Sequence, residues 1–85
     1  MPSRAEIEAD LVAQVAAKLG QEPDGVDPER PLHELGFDSM RLVELFLHVE
    51  DVHGLELMSM GLSREDMESI RALASYIESA LAESQ

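Results

Sequence analysis

The chain has 85 residues and no cysteine, which allows one compact core and rules out disulfides and thiolate chemistry. Eighteen acidic residues against six basic ones give a formal net charge of −12, a balance that repels nucleic-acid backbones and anionic membrane surfaces. No stretch nears the roughly 18 apolar residues of a membrane helix, and the N-terminus lacks the apolar run of a signal peptide, so a single soluble, cytoplasmic domain over residues 1–85 is expected.

Ser3-Arg4-Ala5-Glu6 opens the first helix in capping-box form: the serine oxygen takes a free backbone N–H, and the glutamate reaches back to the cap. Ile7, Leu11, Val15 and Leu19 follow as one apolar stripe. Gly20 tolerates the left-handed conformation that stops a helix. Residues 20–38 make a long connection. Pro23, Pro28 and Pro31 each remove a donor and fix φ, which excludes a continuous helix there. Val26, Leu32, Leu35 and Phe37 read as anchors that pin this loop to the core. Loops so long in a compact domain are often functional. A second helix starts near Ser39 and runs to Val52 or His53, where Gly54 ends it. A looser stretch from Leu55 to Leu62 follows. Ser63-Arg64-Glu65-Asp66 resembles another helix start, with room for only one or two turns. Met58, Met60 and Met67 read as adaptable filler around it, or as the lining of a shallow pocket. Ile70, Leu73, Ile77 and Leu81 share one face of the last helix, with Ala74 and Ala80 beside them. The expected fold class is all-α: a four-helix bundle of three long helices and one short third helix, with a long loop between the first and second.

The second helix carries two apolar faces. On a wheel of about 100° per residue from Ser39, Leu42, Leu45, Phe46, Val49 and Val52 cluster within about 60° of one direction, the face that packs in the bundle. Met40, Val43 and Leu47 fall at roughly 40° to 100°, off that stripe, with Glu44, Glu50 and Asp51 around them. An apolar centre with a charged border is the pattern of a partner-docking face. The other reading is that the long loop or the short third helix covers it. The acidity of the chain correspondingly serves solubility, or steering toward basic patches on partners.

Gly36-Phe37-Asp38-Ser39-Met40 leads into this helix. Gly36 permits a tight approach, and Asp38 is a good N-cap. Ser39 then lies exposed in the first turn, where backbone N–H groups and the positive end of the helix dipole favour a phosphate. An isolated Asp-Ser pair is most often only a cap. In context, Leu35-Gly36-Phe37-Asp38-Ser39-Met40 with Val43-Glu44-Leu45 resembles the signature of acyl carrier proteins. Pro31 to Leu35, Glu50-Asp51 and Leu73 to Ile77 extend the resemblance over nearly the whole chain. It departs at Met40, where leucine is usual, and at His53, where an aromatic is usual. Ser63-Arg64-Glu65-Asp66-Met67 is closer to D-alanyl carrier proteins and to stand-alone carriers of biosynthetic clusters.

The resemblance implies an acyl-carrier-like bundle with 4′-phosphopantetheine attached covalently to Ser39, in a motif shaped by Gly36 and Asp38. It implies a phosphopantetheinyl transferase that moves the arm from coenzyme A. An acyl- or aminoacyl-loading enzyme of adenylation or acyltransferase type would charge the thiol as a thioester, and downstream transferase or condensing enzymes would receive the cargo. Met40, Val43, Glu44, Leu47, Glu50 and Asp51 would meet these partners. The implied protein is a stand-alone, monomeric carrier in polyketide, nonribosomal peptide or related secondary-metabolite biosynthesis; a D-alanyl carrier for teichoic acid modification is the nearest alternative. From another class, a cofactor-free acidic helical interaction domain would give Ser39 only a capping role. An enzyme is not expected. No Ser-His-acid arrangement follows from the spacing of His33, His48 and His53. His48 lies near 180° from Ser39 on the wheel, and His53 follows the core face as a satisfied, partly buried imidazole. No calcium-hand loop or other metal site is expected.

Overall fold

The computed structural model describes residues 2–83. Helix α1 spans Arg4–Leu19, α2 spans Ser39–His53 and α3 spans Ile70–Glu83. Among the described residues there is no strand, only an isolated bridge between Pro31 and Ser69. The capping box of α1 forms: the Glu6 N–H donates to Ser3 Oγ at 3.2 Å, and the Ser3 N–H donates to Glu6 Oε1 at 3.5 Å. Gly20 ends α1 and Gly54 ends α2, at φ of 69° and 73°, the left-handed region that glycine enters without a Cβ clash.

The core is built from one stripe per helix. Ile7, Leu11 and Val15 of α1, Leu45, Phe46 and Val49 of α2, and Ile70, Leu73, Ala74 and Ile77 of α3 are buried. The α1 helix packs most extensively on α3 and less on α2. Residues 20–38 hold two short 3-10 turns, Pro23–Gly25 and Leu32–Leu35. Val26, Leu32 and Phe37 are buried and Leu35 packs on the core, so the loop is pinned as its apolar residues imply.

The loop is also tied by its backbone. The Leu32 N–H donates to the Glu68 carbonyl at 2.8 Å, and the Arg71 N–H donates to the Pro28 carbonyl at 2.9 Å. The Arg71 guanidinium adds ion pairs to Glu8 at 2.8 Å and Glu29 at 2.7 Å. Its hydrogen bond to Glu8 holds the Arg71 proton more tightly than in a free side chain.

Three details differ from the sequence reading. The short third helix expected from Ser63 takes the form of a single 3-10 turn, Glu65–Met67, and the looser stretch before it holds another, Leu57–Ser59. Too few residues separate Ser63 from Ser69 to repay helix nucleation. The Glu68 carbonyl is drawn to Leu32, and Ser69 Oγ takes the Ala72 N–H at 3.1 Å to start α3. Val52 is 55% exposed rather than part of the packed face. The turn at Gly54 brings in Leu55 and Leu57, which are buried instead. Met58 and Met60 are exposed, and only Met67 packs against the core.

Candidate functional site

Gly36 sets the approach to α2. Its φ of 87° is left-handed, a conformation that costs an L side chain about 1–2 kcal/mol. It closes the Leu32–Leu35 turn, donating its N–H to the His33 carbonyl at 3.3 Å. The next residue, Phe37, donates its N–H to the Leu32 carbonyl at 3.2 Å and buries its ring. Phe37 is therefore fixed at backbone and side chain, and Asp38 and Ser39 emerge into solvent directly after it.

Asp38, not Ser39, caps the helix: Asp38 Oδ1 accepts the Arg41 N–H at 2.9 Å. The Ser39 hydroxyl is exposed and makes no hydrogen bond to the described residues. The N–H groups of Ser39 and Met40 precede the first intrahelical bond, which runs from Leu42 to Asp38. Ser39 thus presents a free hydroxyl at the positive end of a 15-residue helix.

Met40 is 76%, Val43 41% and Leu47 49% exposed, so neither the long loop nor the 3-10 turns cover this strip. Glu44 and Asp51 beside it are exposed and Glu50 is half-buried. Lys18 of α1 stands 3.9 Å from Glu44, a basic contact on the acidic rim that the sequence pattern did not reveal. Leu47, Glu44, Glu50 and Asp51 also line an open depression of about 850 Å3 between α2 and α1, shared with Gln14 and Lys18.

A different groove, of about 510 Å3, contains Ser39 itself. One wall comes from the loop before α2, with His33, Phe37 and Asp38. The other comes from the turn before α3, with Arg64, Met67 and the carboxylates Glu65 and Glu68. Leu42 contributes from α2. No spacing rule joins residue 33 to residue 64, so sequence reasoning missed His33 and Arg64 as neighbours of the serine. Of the three methionines Met67 lines this groove, and Met58 lines a smaller one of about 100 Å3 with Phe46 and Leu57.

The histidines do not form a relay. His33 shares the groove with Asp38 and Ser39, yet no hydrogen bond joins them. His48 Nε2 is 2.8 Å from Asp10 Oδ2, away from Ser39. His53 is partly buried as expected, but its Nε2 is enclosed and has no hydrogen-bond partner among the described residues. Among the described residues no cluster of three or more His, Cys, Asp or Glu is placed to hold a metal ion. No described helix is long and apolar enough to cross a membrane.

Comparison with known proteins agrees with this geometry. Residues 9–77 match the family model of the phosphopantetheine attachment site. The chain is 40% identical over 82 residues to the p-hydroxybenzoic acid–AMP ligase FadD22 of two Mycobacterium tuberculosis strains, CDC 1551 / Oshkosh and ATCC 25618 / H37Rv. That alignment covers 93% of this chain but 11% of the ligase. Among solved structures, the fold is similar to a free-standing peptidyl carrier protein from an uncharacterized secondary metabolic pathway of Acinetobacter baumannii. The TM-score is 0.80 and the identity 29%, with 93% of this chain and 96% of that one covered.

Proposed function

The chain belongs to the phosphopantetheine attachment-site family, whose members carry 4′-phosphopantetheine covalently on a serine, and from that premise we propose that Ser39 is the attachment point and that the chain shuttles an acyl or aminoacyl group between enzymes. The observation that carries the reading is the free, exposed Ser39 hydroxyl at the start of α2.

The residues present fit the group. Asp38 takes over the capping bond, which leaves Ser39 Oγ unengaged. The first-turn N–H groups and the helix dipole favour the negative charge of a phosphodiester at that oxygen. Gly36 supplies the tight turn that brings the serine to the surface. When bound, the arm supplies a terminal thiol on which a carboxylic acid is held as a thioester. Met40, Val43 and Leu47, rimmed by Glu44, Glu50 and Asp51, form the face that meets the transferase, the loading enzyme and the downstream enzymes. A small apolar centre keeps each encounter brief, and the acidic rim raises its rate.

Similarity to an acid–AMP ligase supports loading by an enzyme that activates a carboxylic acid as its adenylate. Similarity to a peptidyl carrier of a secondary metabolic pathway supports a place in secondary metabolism. The test is intact mass before and after incubation with coenzyme A and a broad-specificity phosphopantetheinyl transferase, for wild type and Ser39→Ala. A gain of one phosphopantetheinyl group in the wild type alone is the expected result. No gain with several transferases, on folded protein, overturns the reading in favour of a cofactor-free interaction domain.

A further inference from the structure

We propose that Arg64 binds the phosphodiester on Ser39, and that the groove between the loop before α2 and the Glu65–Met67 turn receives the pantetheine portion of the arm. This inference rests on the assignment of the arm to Ser39.

Charge makes the first case. A phosphodiester adds a negative charge to a chain already at −12. It enters a groove lined by Asp38, Glu65 and Glu68. Charges that share one groove are only partly screened at physiological salt, where the screening length is about 8 Å. The groove needs a cation to accept the group without penalty.

The chain has six Lys and Arg residues. Arg4, Lys18 and Arg71 are engaged by Glu8, Glu44, and Glu8 with Glu29, respectively. Arg30, Arg41 and Arg64 form no ion pair among the described residues, and of these three only Arg64 lines the groove that contains Ser39. It stands among three carboxylates without closing on any of them. Its guanidinium keeps its full fork of donors, the geometry that matches two phosphate oxygens at once.

The backbone that carries Arg64 is tied, while its side chain is exposed. Ser63, just before it, exchanges hydrogen bonds with Asp66: the Ser63 N–H donates to Oδ2 at 3.1 Å, and the Asp66 N–H donates to Ser63 Oγ at 3.2 Å. The Leu32–Glu68 bond then fixes this wall against the loop that leads to Ser39. A site whose walls are set in advance loses less freedom when it binds. The rest of the lining suits the arm. Phe37, Leu42 and Met67 offer apolar surface for its dimethyl carbon, and His33 offers ring nitrogens for its amides.

The experiment compares apo and holo forms of the wild type, Arg64→Gln and Arg64→Lys, each holo sample verified by intact mass. Backbone amide spectra and the phosphorus resonance are recorded. In the wild type, modification should shift amides from Arg64 to Glu68 and from His33 to Phe37, besides those next to Ser39. In Arg64→Gln the shifts on the Arg64–Glu68 wall should fall to less than half, with those at Ser39 to Arg41 kept; Arg64→Lys should fall between. The phosphorus resonance of the wild type should move toward that of the Gln variant at about 0.5 M salt, where the screening length is about 4 Å. Apo spectra of the variants that overlay the wild type outside the substituted turn establish that the fold is intact. Wild-type shifts confined to Ser39 to Arg41, or wall shifts unchanged in Arg64→Gln, overturn the inference alone. No mass gain in the wild type overturns the carrier assignment and this inference with it.

Discussion

At the start of α2 two adjacent residues divide two tasks that one residue often combines. Asp38 holds the helix through its bond to the Arg41 N–H, and Ser39 keeps an unengaged hydroxyl. Asp38→Ala should therefore cost about 1 kcal/mol, which lowers the melting temperature of a domain this size by about 4–8 °C. Ser39→Ala should leave thermal unfolding of the apo protein within about 1–2 °C of wild type, because the fall expected for a lost cap has no bond to remove there. Circular dichroism melts of the two variants decide this; a large fall for Ser39→Ala would place the capping role on the serine. The same residue scale holds the least expected observation, His53. Its Nε2 is shut off from solvent without a partner among the described residues, although the helical period alone led to a satisfied imidazole. Periodicity reports which side of a helix turns inward; it carries no information on what meets a ring nitrogen there.

The α2 helix shows how one element serves two masters. Its Leu45 is fully buried, and its Val43 and Leu47 face solvent. Leu45→Ala should cost about 2–5 kcal/mol through lost contacts and an unfilled cavity. Leu47→Ala should change stability by less than about 0.5 kcal/mol yet slow loading by a partner enzyme. Denaturant unfolding alongside loading rates separates the two; a stability loss at Leu47 equal to that at Leu45 would show the strip is packed. Most of this was legible in the sequence. Ser3 and Glu6, Asp38, Gly20 and Gly54 mark helix ends by local chemistry, and the buried stripes repeat at helical spacing. Val52 was misread because the last turn of a helix is covered only if the following chain returns over it, and Leu55 and Leu57 took that place. The short third helix shrank to one 3-10 turn because too few residues separate Ser63 from Ser69, and a distant partner, the Leu32 N–H, took the Glu68 carbonyl that would have run it into α3. Ser39 was legible from its own neighbours in the chain. The groove beside it was not, since its walls meet only through tertiary structure.

Over the whole molecule, eighteen acids face six cations, and the ion pairs of Arg71, Arg4 and Lys18 involve partly exposed side chains. Exposed pairs contribute about 0–1 kcal/mol each, so self-repulsion should prevail. The melting temperature should then rise between about 0.02 and 0.5 M sodium chloride as the screening length shortens; a fall would show that the pairs dominate. The two backbone bonds between the long loop and the start of α3, Leu32 to Glu68 and Arg71 to Pro28, have a further consequence. They close the chain around α2, so the serine, the exposed strip and both groove walls lie between two seams, while α1 and α3 pack on each other outside them. A stretch exchanged at those seams by recombination would carry the serine, the exposed strip and both groove walls as one block, together with Leu45, Phe46 and Val49 of the shared core. Such a block can be traded only where the core stripe it brings still fits the pair of α1 and α3.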